Sequence, residues 1–268
     1  MGIIAPVAVL AGKAQHGSGL NGAATDICHL QVTQCLPLSK ARKCSAGILY
    51  VDLVSAFARV ARRIAIPDLP TSEAAWRRHI ANIGFSDEEA DAIIGGAFSA
   101  LQWEAAGASA HSLALSKETH SSSWFTVDGI STVCAFASGT LAGTSLADIV
   151  FILCMSCVLK RIDVQLAALE LVSNQPAVDA YRAFGMDDDK LPLSAALSSA
   201  VWVDDLATPV LCEAEELLRK ASVMLACVWN ISRQYAMELN MKEGKSAFMP
   251  FYGGKGSEVA RRNEALLP

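Results

Sequence analysis

Apolar and polar positions alternate along this chain with two rhythms, one helical and one β-like, and the change between them marks the elements. The stretch Ala24 to Leu38 mixes the two classes as a helix does. The run SAGILYVDL that follows is short, apolar and rich in β-formers, which predicts a buried strand ending in a carboxylate, Asp52. In VSAFARVARR, Val54, Phe57 and Val60 share one face at three-residue spacing while Arg59, Arg62 and Arg63 fall elsewhere, predicting an amphipathic helix. Pro67 and Pro70 stop it. Thr71-Ser72-Glu73 and Ser86-Asp87-Glu88-Glu89 each place a hydroxyl before acids, the pattern that opens a helix, so the region from Thr71 to Lys117 is expected to be helical. WFTVDGISTVCAF predicts a hairpin turning at Asp128-Gly129.

From Ser145 to Leu171 the apolar pattern is long, interrupted only by Asp148, Lys160, Arg161, Asp163 and Glu170, and predicts a buried helix fed by a loop containing Gly139 and Gly143. Asn174 to Pro192 is expected to be an exposed loop. Its Asp187-Asp188-Asp189 lacks the Gly and closing Glu of a calcium loop, so it is a solvated turn. LSSAVWVDDLATPVL predicts strand, turn and strand around Asp204-Asp205. Cys212 to Met237 then predicts an amphipathic helix, SAFMPFYGG a strand entering a Gly turn, and the tail from Ser257 a short helix. The expected class is α/β (α+β), with an antiparallel sheet flanked by helices.

Composition narrows the function. With 268 residues, 52% hydrophobic and 18% charged, the chain is neither disordered nor a disulfide-stapled miniprotein, and neither a repeat nor a linker divides it. The net charge of −5 means that any grip on nucleic acid rests on local basic residues and divalent cations. Lys13, Lys40, Arg42, Lys43, Arg59, Arg62 and Arg63 are the candidates for a basic rim, against the alternative of a solvated face. The eight cysteines lack a secreted-type spacing and are expected to be reduced, buried thiols; the Cys154-x-x-Cys157 pair, with no second pair, belongs to the core. The apolar run between Asp148 and Lys160 has 11 residues, short of the ~20 that span a bilayer. With no basic residue ahead of the apolar N-terminus and Pro6 where a myristoylation signal needs Ser or Thr, an intracellular chain without a membrane partner is expected.

The chemistry concentrates in acids. Asp52 ends an apolar strand and Asp204-Asp205 separate two others, roughly 150 residues later. Adjacent carboxylates flanked by Val and Leu repel each other and are costly to desolvate, so a bound cation would compensate them. Oxygen ligands with few carboxylates suit Mg²⁺, with Mn²⁺ as its substitute, and two such ions about 3.5–4 Å apart support phosphoryl transfer. The alternative is an acidic turn holding no metal.

The order of these segments resembles the reverse transcriptases of non-long-terminal-repeat retroelements, over most of the chain. LYVDLVSAF resembles the first palm motif, SGTLAGTSLADIVF the second, and WVDDL the third. QHGSGLNGAATD resembles the fingers segment before them, and LNMKEGKSAFMPFYGG the Leu-Asn … Lys-Ser segment that completes the palm. The resemblance implies a right-hand polymerase: residues 1–47 and 64–125 fingers-like, 48–63 and 126–254 palm, 255–268 a tail, with no room for a thumb. It implies RNA-directed DNA polymerase activity on an RNA template, a DNA primer and deoxynucleoside triphosphates. By that resemblance Asp52 and Asp204 would be metal-binding carboxylates and Asp205 the third acid. Phe57 would close against the sugar, Gly143 would lie in the loop touching template or nucleotide, and Lys245 would stand near the triphosphate.

The chain departs from the family at several points. Trp202 stands where Tyr or Phe is usual, Ala142 where Gln or Pro precedes the loop glycine, and Gly19 and Gly22 near the usual fingers arginines. A P-loop ending at Gly244-Lys245-Ser246 is excluded because Leu239 occupies its first glycine position. The five histidines show neither metal spacing nor a nucleophile partner, so hydrolase chemistry has no support. Two further readings stand beside the polymerase: a catalytically silent palm remnant that binds nucleic acid weakly or serves only as a folded domain, and an unrelated α/β domain with an acidic turn.

Overall fold

The computed structural model describes residues 3–11, 14–17, 20, 25–59, 61–67, 74, 77–78, 81, 86–121, 123–135, 139–140, 146–172, 174–176, 194–196 and 199–265. In chain order the helices are α1 Ile4–Ala11, α2 Thr25–Thr33, α3 Cys35–Arg42, α4 Ala56–Arg59, α5 Arg62–Ala65, α6 Asp87–Gly95, α7 Ala100–Ala105, α8 Ala110–His120, α9 Ala147–Ala168, α10 Leu217–Gln234 and α11 Ser257–Glu264. The strands are β1 Gln15–His16, β2 Ser45–Val51, β3 Trp124–Phe125, β4 Cys134–Ala135, β5 Asn174–Pro176, β6 Ser194–Ala196, β7 Ala200–Trp202, β8 Asp205–Cys212 and β9 Ala247–Phe251. The fold is mixed α/β.

The unbroken apolar run of β2 is explained by burial on both faces, because a strand with one wet face alternates whereas a doubly covered one does not. Leu49 and Val51 face a large core formed with α9, α10 and α5, while Ala46 and Ile48 face a smaller one containing Val32 and Cys35 from α2 and α3. Gly47 admits the Phe248 ring, into which a Cβ would collide. Among the described residues the main sheet runs β1-β7-β8-β2-β9. It is antiparallel throughout except for β1, which pairs parallel to β7, so the all-antiparallel expectation is corrected at that edge. Two prolines fit this topology: Pro250 lies on the edge strand β9, and Pro209 lies beyond Ala207, the last residue of β8 opposite β7.

Helix α9 is the long apolar segment, buried from Ile149 through Leu159 and again at Ile162 and Leu166. Cys154 and Cys157 are among these buried residues, and burial pushes both thiols up, as suits core packing. Five of the eight cysteines are buried and all are free, whereas Cys28, Cys44 and Cys134 are only half-buried. No helix among the described residues is long and apolar enough to cross a membrane.

Three expected elements differ from what forms. The helix expected over 24–38 is two helices meeting at Gln34, because Pro37 has no N–H for the Thr33 carbonyl and its ring crowds that turn. The expected amphipathic helix after Asp52 is two single turns, α4 and α5, following Ser55 at φ 50°. The loop expected over 174–192 begins instead as β5, paired antiparallel with β6. Ser86 caps α6 with a full capping box, and the Trp124–Ala135 hairpin turns at Asp128-Gly129 through the Ile130 N–H to the Val127 carbonyl, 3.0 Å. The expected helix start at Thr71 and the Asp187–Asp189 turn lie outside the described residues.

Arg62 is the residue whose placement sequence reasoning mistook most. Rather than joining a solvated basic face it is buried, 5% exposed. Its guanidinium donates to the Gly139 carbonyl, to the His120 carbonyl at 2.7 Å and to Ser123 Oγ at 3.1 Å, tying α5 to the end of α8 and to Gly139. Arg62→Met would leave two carbonyls without donors at about 1–3 kcal/mol each, so a loss of about 2–4 kcal/mol is expected in urea unfolding. A loss under about 1 kcal/mol would show that water replaces the guanidinium.

Candidate functional site

Asp52 follows the last residue of β2, and the register explains what it meets. Val51 pairs with Leu206, so one step further along the ladder Asp52 stands opposite Asp205. Like charges in that arrangement destabilise a sheet unless something neutral or positive intervenes. Here the segment after α10 intervenes. Asn240 Nδ2 donates to Asp52 Oδ2 at 2.7 Å, and Lys245 Nζ lies 3.7 Å from Asp52 Oδ1. The backbone is held as well: the Asp52 N–H donates to Ser246 Oγ at 3.1 Å, and the Asn240 N–H donates to the Asp52 carbonyl at 2.8 Å. Leu53 bridges Leu239 beside it. Every residue in this clamp belongs to LNMKEGKS, whose Leu-Asn and Lys-Ser ends carried the resemblance, although no role was assigned to Asn240 or Ser246 from sequence.

The acid pair sits in a two-residue hairpin, since Trp202 pairs with Asp205 and leaves Val203 and Asp204 as the turn. Val203 has φ 58°, which for a β-branched side chain is a strained conformation. Such strain clusters at functional turns, and the surrounding sheet must hold it in place. The half-buried Asp204 occupies the second corner; Asp205 opens β8.

Asp52, Asp205 and Lys245 line one cleft of about 410 Å³, whose far wall is α2 through Cys28 and His29. Asp204 lies beside this cleft rather than in its lining. Although much of Asp205 is exposed, its carboxyl is raised above the ordinary carboxylate range, first by desolvation, then by the charges of Asp204 and Asp52, with Lys245 opposing. The three acids and the lysine thus share one electrostatic neighbourhood. Burial and the Asp205 charge also raise the Cys28 thiol.

A raised carboxyl keeps its proton to higher pH in the folded chain than in the unfolded one. Between the two values the native state binds more protons, so stability falls as pH rises through that window and the full penalty stands at neutral pH. Asp205→Asn removes the penalty. Its Tm at pH 7 is expected to exceed the wild type's by about 1–2 °C, given solvent screening, and the difference should vanish below the ordinary carboxylate range. A variant less stable at pH 7 would show that Asp205 makes a favourable contact outweighing the repulsion.

Phe57 lies elsewhere: its half-buried ring stacks on Phe151 with centroids 4.6 Å apart, on the core side of the sheet rather than in the cleft. Its carbonyl accepts from the Thr140 N–H at 2.6 Å. Gly143 lies outside the described residues. Of the expected basic rim, Arg59 pairs with Glu238, Arg62 is buried, and Lys40 and Lys43 line a different cleft at the other end of β2. Lys13 lies outside the described residues.

Among the described residues no group of three or more His, Cys, Asp or Glu is gathered closely enough to hold a metal ion by protein ligands alone. Two facing carboxylates, Asp52 and Asp205, nonetheless offer oxygen donors on one side of the cleft, with Cys28 and His29 on the opposite wall, and divalent sites with few carboxylates draw their remaining ligands from water and phosphate. The chain matches no family model and no curated protein.

Proposed function

We propose that the chain is the fingers and palm of an RNA-directed DNA polymerase of the reverse transcriptase type found in non-long-terminal-repeat retroelements. The observation that carries the reading is the meeting of acids from two segments roughly 150 residues apart, across paired strands, beside Lys245. Order of segments in the sequence supports the same reading. In it, Asp52 and Asp204 would hold the divalent ions, with Asp205, which faces Asp52 in the cleft, as the third acid. Mg²⁺, or Mn²⁺ in its place, would supply Lewis-acid chemistry there for attack by a primer 3′-hydroxyl and for the charge of a leaving diphosphate.

The chain's own residues do the rest. Asn240 and Ser246 fix the Asp52 carboxylate and backbone before any substrate arrives, so the position is preorganised. Lys245, its ammonium 3.7 Å from Asp52 and half exposed at the cleft, would offer positive charge to a triphosphate there. Phe57, stacked on Phe151 on the core side of the sheet, does not line the cleft, so its position lends no support to the sugar-closing role that the resemblance implies for it.

A silent palm-like fold is the second reading. It is favoured by Asp52 already being satisfied by Asn240 and Lys245 and by α2 walling the cleft. Primer extension on an RNA template with Mg²⁺, comparing the wild type with Asp52→Asn, separates the two. Extension lost in the variant supports the polymerase; no extension by either folded protein supports the silent fold.

A further inference from the structure

At the end of β2 away from Asp52, an otherwise acidic chain collects positive charge. A second cleft, of about 1100 Å³, lies between α3 and the loop joining β9 to α11. Lys40, Lys43, Lys255 and Arg261 line it, with the half-buried Phe251 and Tyr252 among its apolar residues. No carboxylate is among the described residues lining it. The four cations are exposed, and none forms an ion pair among the described residues. Acids border the cleft without lining it: Glu213 near Cys44, where Arg42 opposes it, Glu264 near the Tyr252 hydroxyl, and Glu258 and Glu264 three residues to either side of Arg261 on α11.

The cations are brought together by a tight backbone rather than by chance proximity of long side chains. Gly254 has φ 77°, and a Cβ there would overlap the Lys43 carbonyl oxygen, so the loop can press against the end of α3 only as glycine. Ser45 Oγ donates to the Gly253 carbonyl at 2.9 Å and accepts from the Gly253 N–H at 3.1 Å, pinning the loop to the first residue of β2. Lys43, itself in a left-handed conformation at φ 53°, and Lys255 are thereby held on either side of the same approach.

Unpaired cations from three segments, around a concave apolar floor, match an extended polyanion. We propose that this cleft binds the phosphate backbone of a single-stranded nucleic acid. A single strand enters a groove that a duplex would only bridge, and aromatic residues beside cations are the usual composition of such grooves. The binding does not depend on the polymerase reading, since it uses none of the residues at the acid cleft.

The test is fluorescence anisotropy of a labelled 20-nucleotide polyuridine RNA against the full chain between 50 and 200 mM KCl. The wild type is expected to bind with a salt slope of about −2 to −3, the value for three or four phosphates on a single strand. Lys40→Glu/Lys255→Glu/Arg261→Glu is expected to weaken binding at least tenfold and flatten the slope, with an unchanged circular dichroism spectrum. The milder Lys40→Gln/Lys255→Gln/Arg261→Gln should lose affinity in the same direction by less. The triple variants leave Asp52, Asp204, Asp205 and Lys245 in place, so primer extension read beside RNA binding keeps failure of the polymerase reading and failure of this site separable. Unaltered binding by both triple variants, no binding by the wild type, or binding only to anionic phosphatidylserine vesicles or inorganic polyphosphate overturns the proposal.

Discussion

On the polymerase reading proposed above, Asp52→Asn is expected to reduce primer extension on an RNA template by on the order of 10³-fold, while shifting Tm by no more than about 2 °C. The substitution keeps the shape of the side chain and removes its charge. Its backbone anchors, to Ser246 and Asn240, are untouched, so the end of β2 should hold its position. What disappears is the anionic oxygen that would hold a divalent ion, and with it several kcal/mol of transition-state charge stabilisation. The same change relieves Asp205 of a like charge and removes the partly exposed pair with Lys245, two small opposing terms, so little net electrostatic change in stability is expected. Extension that survives the substitution would separate the activity from this cleft. A large drop in Tm together with lost extension would instead make Asp52 a structural residue, held for its contacts with Asn240 and Lys245.

The largest expected effect on folding is at Gly139. Its φ of 74° lies where a side chain is strained, and a Cβ would overlap the Ala58 carbonyl oxygen. Neither problem is relieved by rotating a flexible side chain, because the obstacle is backbone. The same residue accepts from the buried Arg62 guanidinium, and the neighbouring Thr140 N–H donates to the Phe57 carbonyl. A shift at 139 therefore disturbs the buried arginine and the turn that carries Phe57 together. Gly139→Ala is expected to cost about 3 kcal/mol or more, strain and displacement combined, read as a lower urea midpoint with an unchanged slope. A cost below about 1 kcal/mol would mean that the segment moves aside freely and does not position Phe57.

Most of the element inventory was legible because it rests on local rules. The capping box at Ser86, the Asp128-Gly129 turn, the buried helix over 147–168 and the strand-turn-strand around Asp204-Asp205 each follow from residues within a few positions of one another. Errors appeared where a local pattern was ambiguous or was overridden. Pro37 divided an expected helix through a missing donor, a cue that was present in the sequence but underweighted. Arg62 followed the polar phase of an amphipathic pattern, yet carbonyls from far along the chain gave it a dry site. No periodicity could have announced those partners.

For the candidate site the division is similar. The sequence by itself determined that Asp52 would end a buried strand and that Asp204-Asp205 would occupy a turn, since apolar runs and β-turn chemistry are read over short windows. Lys245 was named only through the resemblance of its segment to a polymerase motif. Only the tertiary structure decided that β2 and β8 pair in the register that sets Asp52 opposite Asp205, that Asn240 and Ser246 anchor Asp52, and that α2 forms the far wall. It alone decided, too, that Lys40 and Lys43 join Lys255 and Arg261 rather than the arginines after β2. The reason is physical: strand register, helix placement and the pairing of distant charges are set by which faces bury one another, and that information is spread over the whole chain rather than held in any one segment.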